Sequence, residues 1–162
     1  MQVANFQRLY NYGYWANKRL FAAMAPLSQE EFTRTVAGSY GSVRNTLVHI
    51  MSAEWGWLDR CGGYARGPKL NADDYPTLAS IVTKWAGVEG HMREFLGLLT
   101  DEGLSREIEF GFKPGQTERR TVSQLLQHSA NHATHHRGQI ALLMRMLGHA
   151  PGDVDLLLFD AA

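Results

Sequence analysis

The amino-acid sequence predicts an all-α fold: a four-helix bundle with a short β-hairpin just before the last long helix. Three observations predict it. Four segments, about 3–24, 42–61, 76–99 and 122–147, repeat apolar residues at the spacing of a helix with one buried stripe. Between the third and fourth, residues 105–121 switch to alternation, the period of a strand. The intervening stretches carry the Gly, Pro and Asp pairs that mark turns. Amphipathic helices of roughly 20 residues bury their stripes by packing as a bundle. A chain of 162 residues suffices for one such domain, residues 1–162, with a sizeable core.

In the first helix Val3, Phe6, Leu9, Tyr10, Gly13, Leu20, Phe21 and Met24 form the stripe. Asn17 lies inside it, where an amide needs either a buried hydrogen-bond partner or a role in a site. Pro26 ends the helix. Ser28 with Glu31 reads as a capping box opening a short helical turn. Residues 33–41 are a loop, and Ser42 is an N-cap for the second helix. Its apolar face is Val43, Leu47, Ile50, Met51, Trp57 and Leu58; Glu54 falls on that face and so requires a buried partner. Residues 62–76 form a second loop, and Pro76 suits the first turn of the third helix. That helix presents Leu78, Ile81, Val82, Trp85, Val88, Met92, Phe95, Leu96 and Leu99, with an isolated His91 on its surface. Glu107 to Phe110 alternate, Pro114-Gly115 turns, and residues 118–122 contain β-formers, the pattern of a hairpin. Thr121 or Ser123 caps the last long helix and Gly148 ends it. The tail after Pro151, with three leucines and Phe159, packs back onto the bundle.

Composition narrows the function. Lys plus Arg and Asp plus Glu are 16 each, so no net field or basic run recruits nucleic acid or an anionic membrane. No apolar stretch approaches a membrane span, and the N-terminus lacks the charged region and apolar core of a signal peptide, so a cytoplasmic protein is expected. The single cysteine, Cys61, excludes an internal disulfide and a Cys-based zinc cluster, and reads as an inert residue at a helix end.

The chemistry concentrates in the last helix, where His128, His132, His135 and His136 fall within nine residues. On a helical wheel His128, His132 and His136 lie one turn apart, within about 40° of each other, in a sector shared with Leu125, Ser129, Gln139, Leu143, Met146 and Leu147. Imidazoles on a core-directed face cost free energy unless each finds a partner. A metal ion satisfies several at once, and an i, i+4 pair can direct two nitrogens at one ion. The alternative is a set of core histidines bonded to carbonyls and carboxylates. Both His128/His132 and His132/His136 fit the spacing. Ala133 stands where a zincin would carry its catalytic Glu, which argues against that type of metalloprotease. A third ligand must come from a facing helix. His49 in the second helix has Asn45, Ser52, Ala53 and Gly56 as wheel neighbours, which fits either an ion with room for substrate or a plain surface position.

Asn131-His132-Ala133-Thr134-His135-His136-Arg137-Gly138-Gln139-Ile140 resembles the signature of the DinB-like (damage-inducible) superfamily, which includes the bacillithiol and mycothiol S-transferases. Tyr14-Trp15-Ala16-Asn17 resembles that family's aromatic-Ala-Asn element, and Leu47-Val48-His49-Ile50 with Ala53-Glu54 its second-helix His segment. The resemblance covers nearly the whole chain. It implies a DinB/YfiT-like bundle of up-down-down-up order, often a homodimer, with one His from the second helix and two from the fourth on a divalent metal. The matching positions are His49, His132 and His136.

A three-His site leaves positions open for water or substrate, and imidazole suits zinc and nickel alike. The resemblance implies a metal that activates a low-molecular-weight thiol, as cosubstrate, against a small-molecule electrophile. Metal-dependent hydrolysis and a non-catalytic, metal-stabilised scaffold are the alternatives. Glu54, Asn17, His128 and His135 are the candidates for catalytic roles, with Glu54 the only nominee for a hydrolytic base. Glu54, Asn17, Gln139 and Asp155 are candidate acceptors for the outer ring nitrogens of the ligands, and Trp15, Trp55, Trp57 and Tyr10 for the pocket wall.

Overall fold

A computed structural model describes residues 1–37, 40–65 and 67–160, without the side chains of residues 112 and 113. In chain order the elements are α1 (Val3–Met24), α2 (Gln29–Thr33), α3 (Val43–Gly62), α4 (Leu78–Leu98), β1 (Glu107–Lys113), β2 (Gln116–Thr121), α5 (Val122–Met146) and α6 (Leu156–Asp160). Local chemistry sets the boundaries. Ser42, Thr77 and Thr121 each accept the amide of the residue three places on, and Thr121 forms a reciprocal capping box with Gln124. α4 begins at Leu78 with Thr77 as its N-cap, so Pro76 sits just outside the helix and not in its first turn. Part of the 33–41 loop lies outside the described residues.

Each long helix packs on two others: α1 on α4 and α5, and α3 on α4 and α5. Cross-helix contacts give the directions. Gln7 donates to the Leu96 carbonyl and Val3 N–H to Asp101, so α1 and α4 run antiparallel. Tyr10 reaches the Leu126 carbonyl and Asn17 meets Arg137, so α1 and α5 run parallel. His49 meets His136 while Trp57 meets His128, so α3 and α5 are antiparallel. The bundle is therefore up-down-down-up, with α1 diagonal to α3 and α4 diagonal to α5.

Two apolar clusters fill it. One joins Leu20, Met24, Leu47, Met51, Ile81, Trp85, Ile140 and Met144; the other joins Phe6, Tyr10, Leu58, Met92, Phe95, Val122 and Leu126. Between them lies a buried polar layer of Tyr14, Asn17, Glu54 and Arg137. The hairpin has an inner and an outer face, as alternation requires. Ile108 and Phe110 pack on the second cluster, while Arg119 pairs with Glu107 and Glu109 outside. The tail docks in part: Phe159 packs on Tyr12 and Trp15, whereas Leu157 is exposed.

Candidate metal centre

α5 is turned differently from its wheel. The sector holding His128, His132 and His136 does not point squarely into the core: His136 is buried, His132 half-buried and His128 exposed, and Met146 of the same sector is exposed. Leu125, Ser129 and Leu143 of that sector are buried together with Leu126, Ala133, Arg137, Ile140 and Met144, so the buried arc overlaps the sector and is offset from its centre. Arg137 falls within that buried arc, its guanidinium against Tyr12 and Asn17 of α1. The histidines line the edge where α5 meets α3, from buried His136 to exposed His128.

There His49, one turn and a half into α3, faces them. His49 Nε2 lies 2.8 Å from His132 Nε2, and His136 Nε2 lies 3.1 Å from the same atom. His49, His132 and His136 each present one ligand atom, all within 4.8 Å of one another, so the group could hold a metal ion. His128 is not in this group; its ring centre is 6.0 Å from that of His132, and its edge meets Trp57. His49 thus lies beside the His132/His136 pair, a neighbour relation that only packing reveals.

The donor chemistry fits a cation. His136 Nδ1 lies 2.5 Å from Gln139 Oε1, and Gln139 Nε2 donates toward His135 at 3.1 Å. Gln139 thus takes the Nδ1 proton of His136 and leaves Nε2 with its lone pair free to ligate. Burial first, then the neighbouring rings, pushes His132 down to about 4. Burial, His136 and Lys69 push His49 likewise to about 4. His136 also falls through burial, against the bond from Gln139. Three neutral imidazoles result at neutral pH, the form that binds metal. They cannot satisfy one another, since His132 Nε2 carries at most one proton for two contacts. A four-coordinate ion at ~2.0–2.1 Å from each nitrogen asks for separations near 3.3 Å, so the 2.8 and 3.1 Å contacts need to open slightly and the remaining His49–His136 separation, within 4.8 Å, to approach the same value.

Tyr40 stacks on His49 with ring centres 3.7 Å apart and stands edge-on to His136. Nothing in the sequence singles it out, because its loop has no periodicity to read. Asn17 and Glu54 belong to the inner layer. Glu54 accepts from Tyr14 Oη at 2.7 Å and from Trp85 Nε1 at 2.9 Å. Burial raises its pKa against those two bonds. Asn17 Oδ1 accepts a long, 3.5 Å contact from Arg137, and both line a cavity of about 20 Å³ between α1 and α5. Arg137 and Asp59 are buried charges that periodicity passed over. Asp155 accepts from the amide of Leu157 in the tail. Of the four aromatic candidates only Trp57 neighbours the histidines. Tyr10 is core, Trp15 lies under Phe159, and Trp55 lies under Lys84. The Cys61 thiol is buried, which pushes it up to about 12 and disfavours the reactive thiolate.

Fold and site together define a helical bundle protein with a three-histidine group between two antiparallel helices. Comparison with known proteins supplies the family. The DinB family model matches residues 1–162, and the chain belongs to the DinB family. It is 28% identical to Protein DinB of Bacillus subtilis (strain 168) over 159 residues, 94% of this chain and 92% of that protein. A crystal structure of a DinB-like protein from Bacillus cereus ATCC 10987 superposes with a TM-score of 0.76 at 22% identity, covering 95% of this chain and 98% of the other. Among the described residues no helix is long and apolar enough to cross a membrane.

Proposed function

We propose that this protein is a divalent-metal enzyme of the thiol S-transferase kind, with His49, His132 and His136 as ligands and zinc or nickel as the ion. The observation that carries the reading is the convergence of three Nε2 atoms from two helices, with the tautomer of one set by Gln139. When bound, such an ion supplies an electrophilic centre with open positions that stabilises a small thiol as thiolate. The chain's part is to hold its imidazoles neutral, orient them through Gln139 and Tyr40, and leave the solvent side of the cluster accessible.

Hydrolysis needs a base beside the ion. Both Glu54 oxygens are instead engaged by Tyr14 and Trp85 inside the bundle, which favours the thiol reading. A purely structural metal is disfavoured by the two apolar clusters that fill the bundle independently of the histidines. The small-molecule substrate, the homodimer and the cytoplasmic setting belong to the same proposal.

The test is metal content of the purified, tag-free protein beside His49→Ala and His132→Ala, followed by chelation. About one ion per chain, lost in both variants with helicity intact, supports the reading and warrants a screen of small thiols with electrophiles. Metal retained without His49 overturns the ligand set. Unfolding on chelation would return the ion to a structural role.

A further inference from the structure

One groove beside the histidines is not absorbed by the metal centre. It has a volume of about 320 Å³ and is lined by Trp57, Phe110, Glu118, Arg120, Gln124 and His128. That size falls in the range of small-ligand pockets. It joins the metal centre through His128, one helical turn before His132 on α5. Its walls are flat and fixed. Trp57 and Phe110 stand nearly perpendicular, at 86°, with ring centres 5.3 Å apart. His128 meets Trp57 edge-on at 5.1 Å. Arg60 holds both rings, its guanidinium carbon 4.7 Å from the centre of Trp57 and 5.7 Å from that of Phe110. Its Nη1 is tied to the Gly56 carbonyl at 3.0 Å.

The hairpin register places two charges on its inner face. Ile108 pairs with Arg120 and Phe110 with Glu118, so all four project to the inner face of the hairpin. Two of them pack on the core, as an inner face should. The other two form an ion pair at 2.8 Å that lines the groove. Perpendicular aromatic walls with a polar rim match a planar ring that carries a polar substituent.

We infer that this groove binds the planar, aromatic or conjugated part of the small-molecule acceptor. The ring lies against Trp57 and Phe110, its polar substituent faces Glu118 and Arg120, and its reacting end points past His128 toward the three histidines. Only that last direction rests on the metal-enzyme reading; the ring site stands on the groove itself.

The experiment is a titration of the full-length protein with 2-naphthol, followed by amide and indole shifts in proton–nitrogen correlation spectra. Saturable shifts are expected at Trp57, Phe110 and His128. Phe110→Ala and Trp57→Leu should each weaken binding about tenfold, the effect of losing one ring wall. Trp57→Phe should bind within about threefold of wild type, which separates loss of the wall from loss of the fold. His132→Ala, with its metal content measured in parallel, should keep the wild-type affinity. Unsaturable shifts, undiminished binding in Phe110→Ala and Trp57→Leu, or binding lost in His132→Ala overturns the inference. Metal content in the last variant reports on the metal reading separately.

Discussion

Substituting His132 and His128 one at a time tests the register of the metal centre directly. His132 Nε2 touches both other members of the group, at 2.8 and 3.1 Å, whereas His128 touches neither. Tetrahedral structural zinc sites gain roughly 10–16 kcal/mol from four ligands, about 3 kcal/mol each. Loss of His132 should therefore weaken metal binding by at least about a hundredfold. At a free metal concentration a hundred times the wild-type Kd, binding stabilises the fold by about 2.7 kcal/mol. For a chain of this size that is a rise in Tm of roughly 5–11 °C. The assay is a thermal melt followed by circular dichroism, with and without zinc or nickel, on the stripped protein. Wild type and His128→Ala should both show the metal-dependent rise. His132→Ala should show a rise of no more than about 1–2 °C, while its metal-free melt stays cooperative and helical. A rise preserved in His132→Ala, or abolished in His128→Ala, would refute the geometric assignment and restore the other register.

Gln139→Leu removes the acceptor that sets the tautomer of His136; metal affinity should fall about 10–100-fold with the fold unchanged, read by competition with a chromogenic chelator. The pH dependence follows from the lowered pKa values of His49 and His132, about 4 each. The unfolded chain, with His near 6.5, binds more protons between those values. Stability of the metal-free protein should therefore be full above about pH 6.5 and fall as pH drops toward 4. Urea titrations across that interval should show a shallower slope in His49→Ala. Glu54→Ala leaves the Tyr14 hydroxyl and the Trp85 indole N–H without their buried acceptor. It should cost about 3 kcal/mol or more, read by urea unfolding, without changing metal stoichiometry; loss of the ion in that variant would place Glu54 in the site after all.

Much of the architecture was legible in the sequence because periodicity and caps are local. The bounds of α1, the Ser42 and Thr121 caps, the short α2 turn and the alternating hairpin all follow from neighbours within a few residues. The buried partner that Glu54 demanded was likewise foreseeable, since a carboxylate on an apolar stripe must be satisfied, although which groups satisfy it was not. The helical wheel placed α5 in part: Leu125, Ser129, His136 and Leu143 of its sector are buried and His128 and Met146 are exposed, while the burial of the Arg137 guanidinium among Tyr12, Asn17 and Thr134 is invisible to apolar periodicity.

By itself, then, the sequence determined the helices, their stripes, the hairpin and the set of histidines able to ligate a cation. The family resemblance singled out three of them. Only the tertiary structure decided that His49 lies within reach of His132 and His136, that Glu54 and Asn17 turn inward, and that Trp57 meets Phe110 across a groove. The physical reason is that a site between helices depends on their rotation and register. Those are set by the sum of all packing contacts along the bundle, which no single segment encodes.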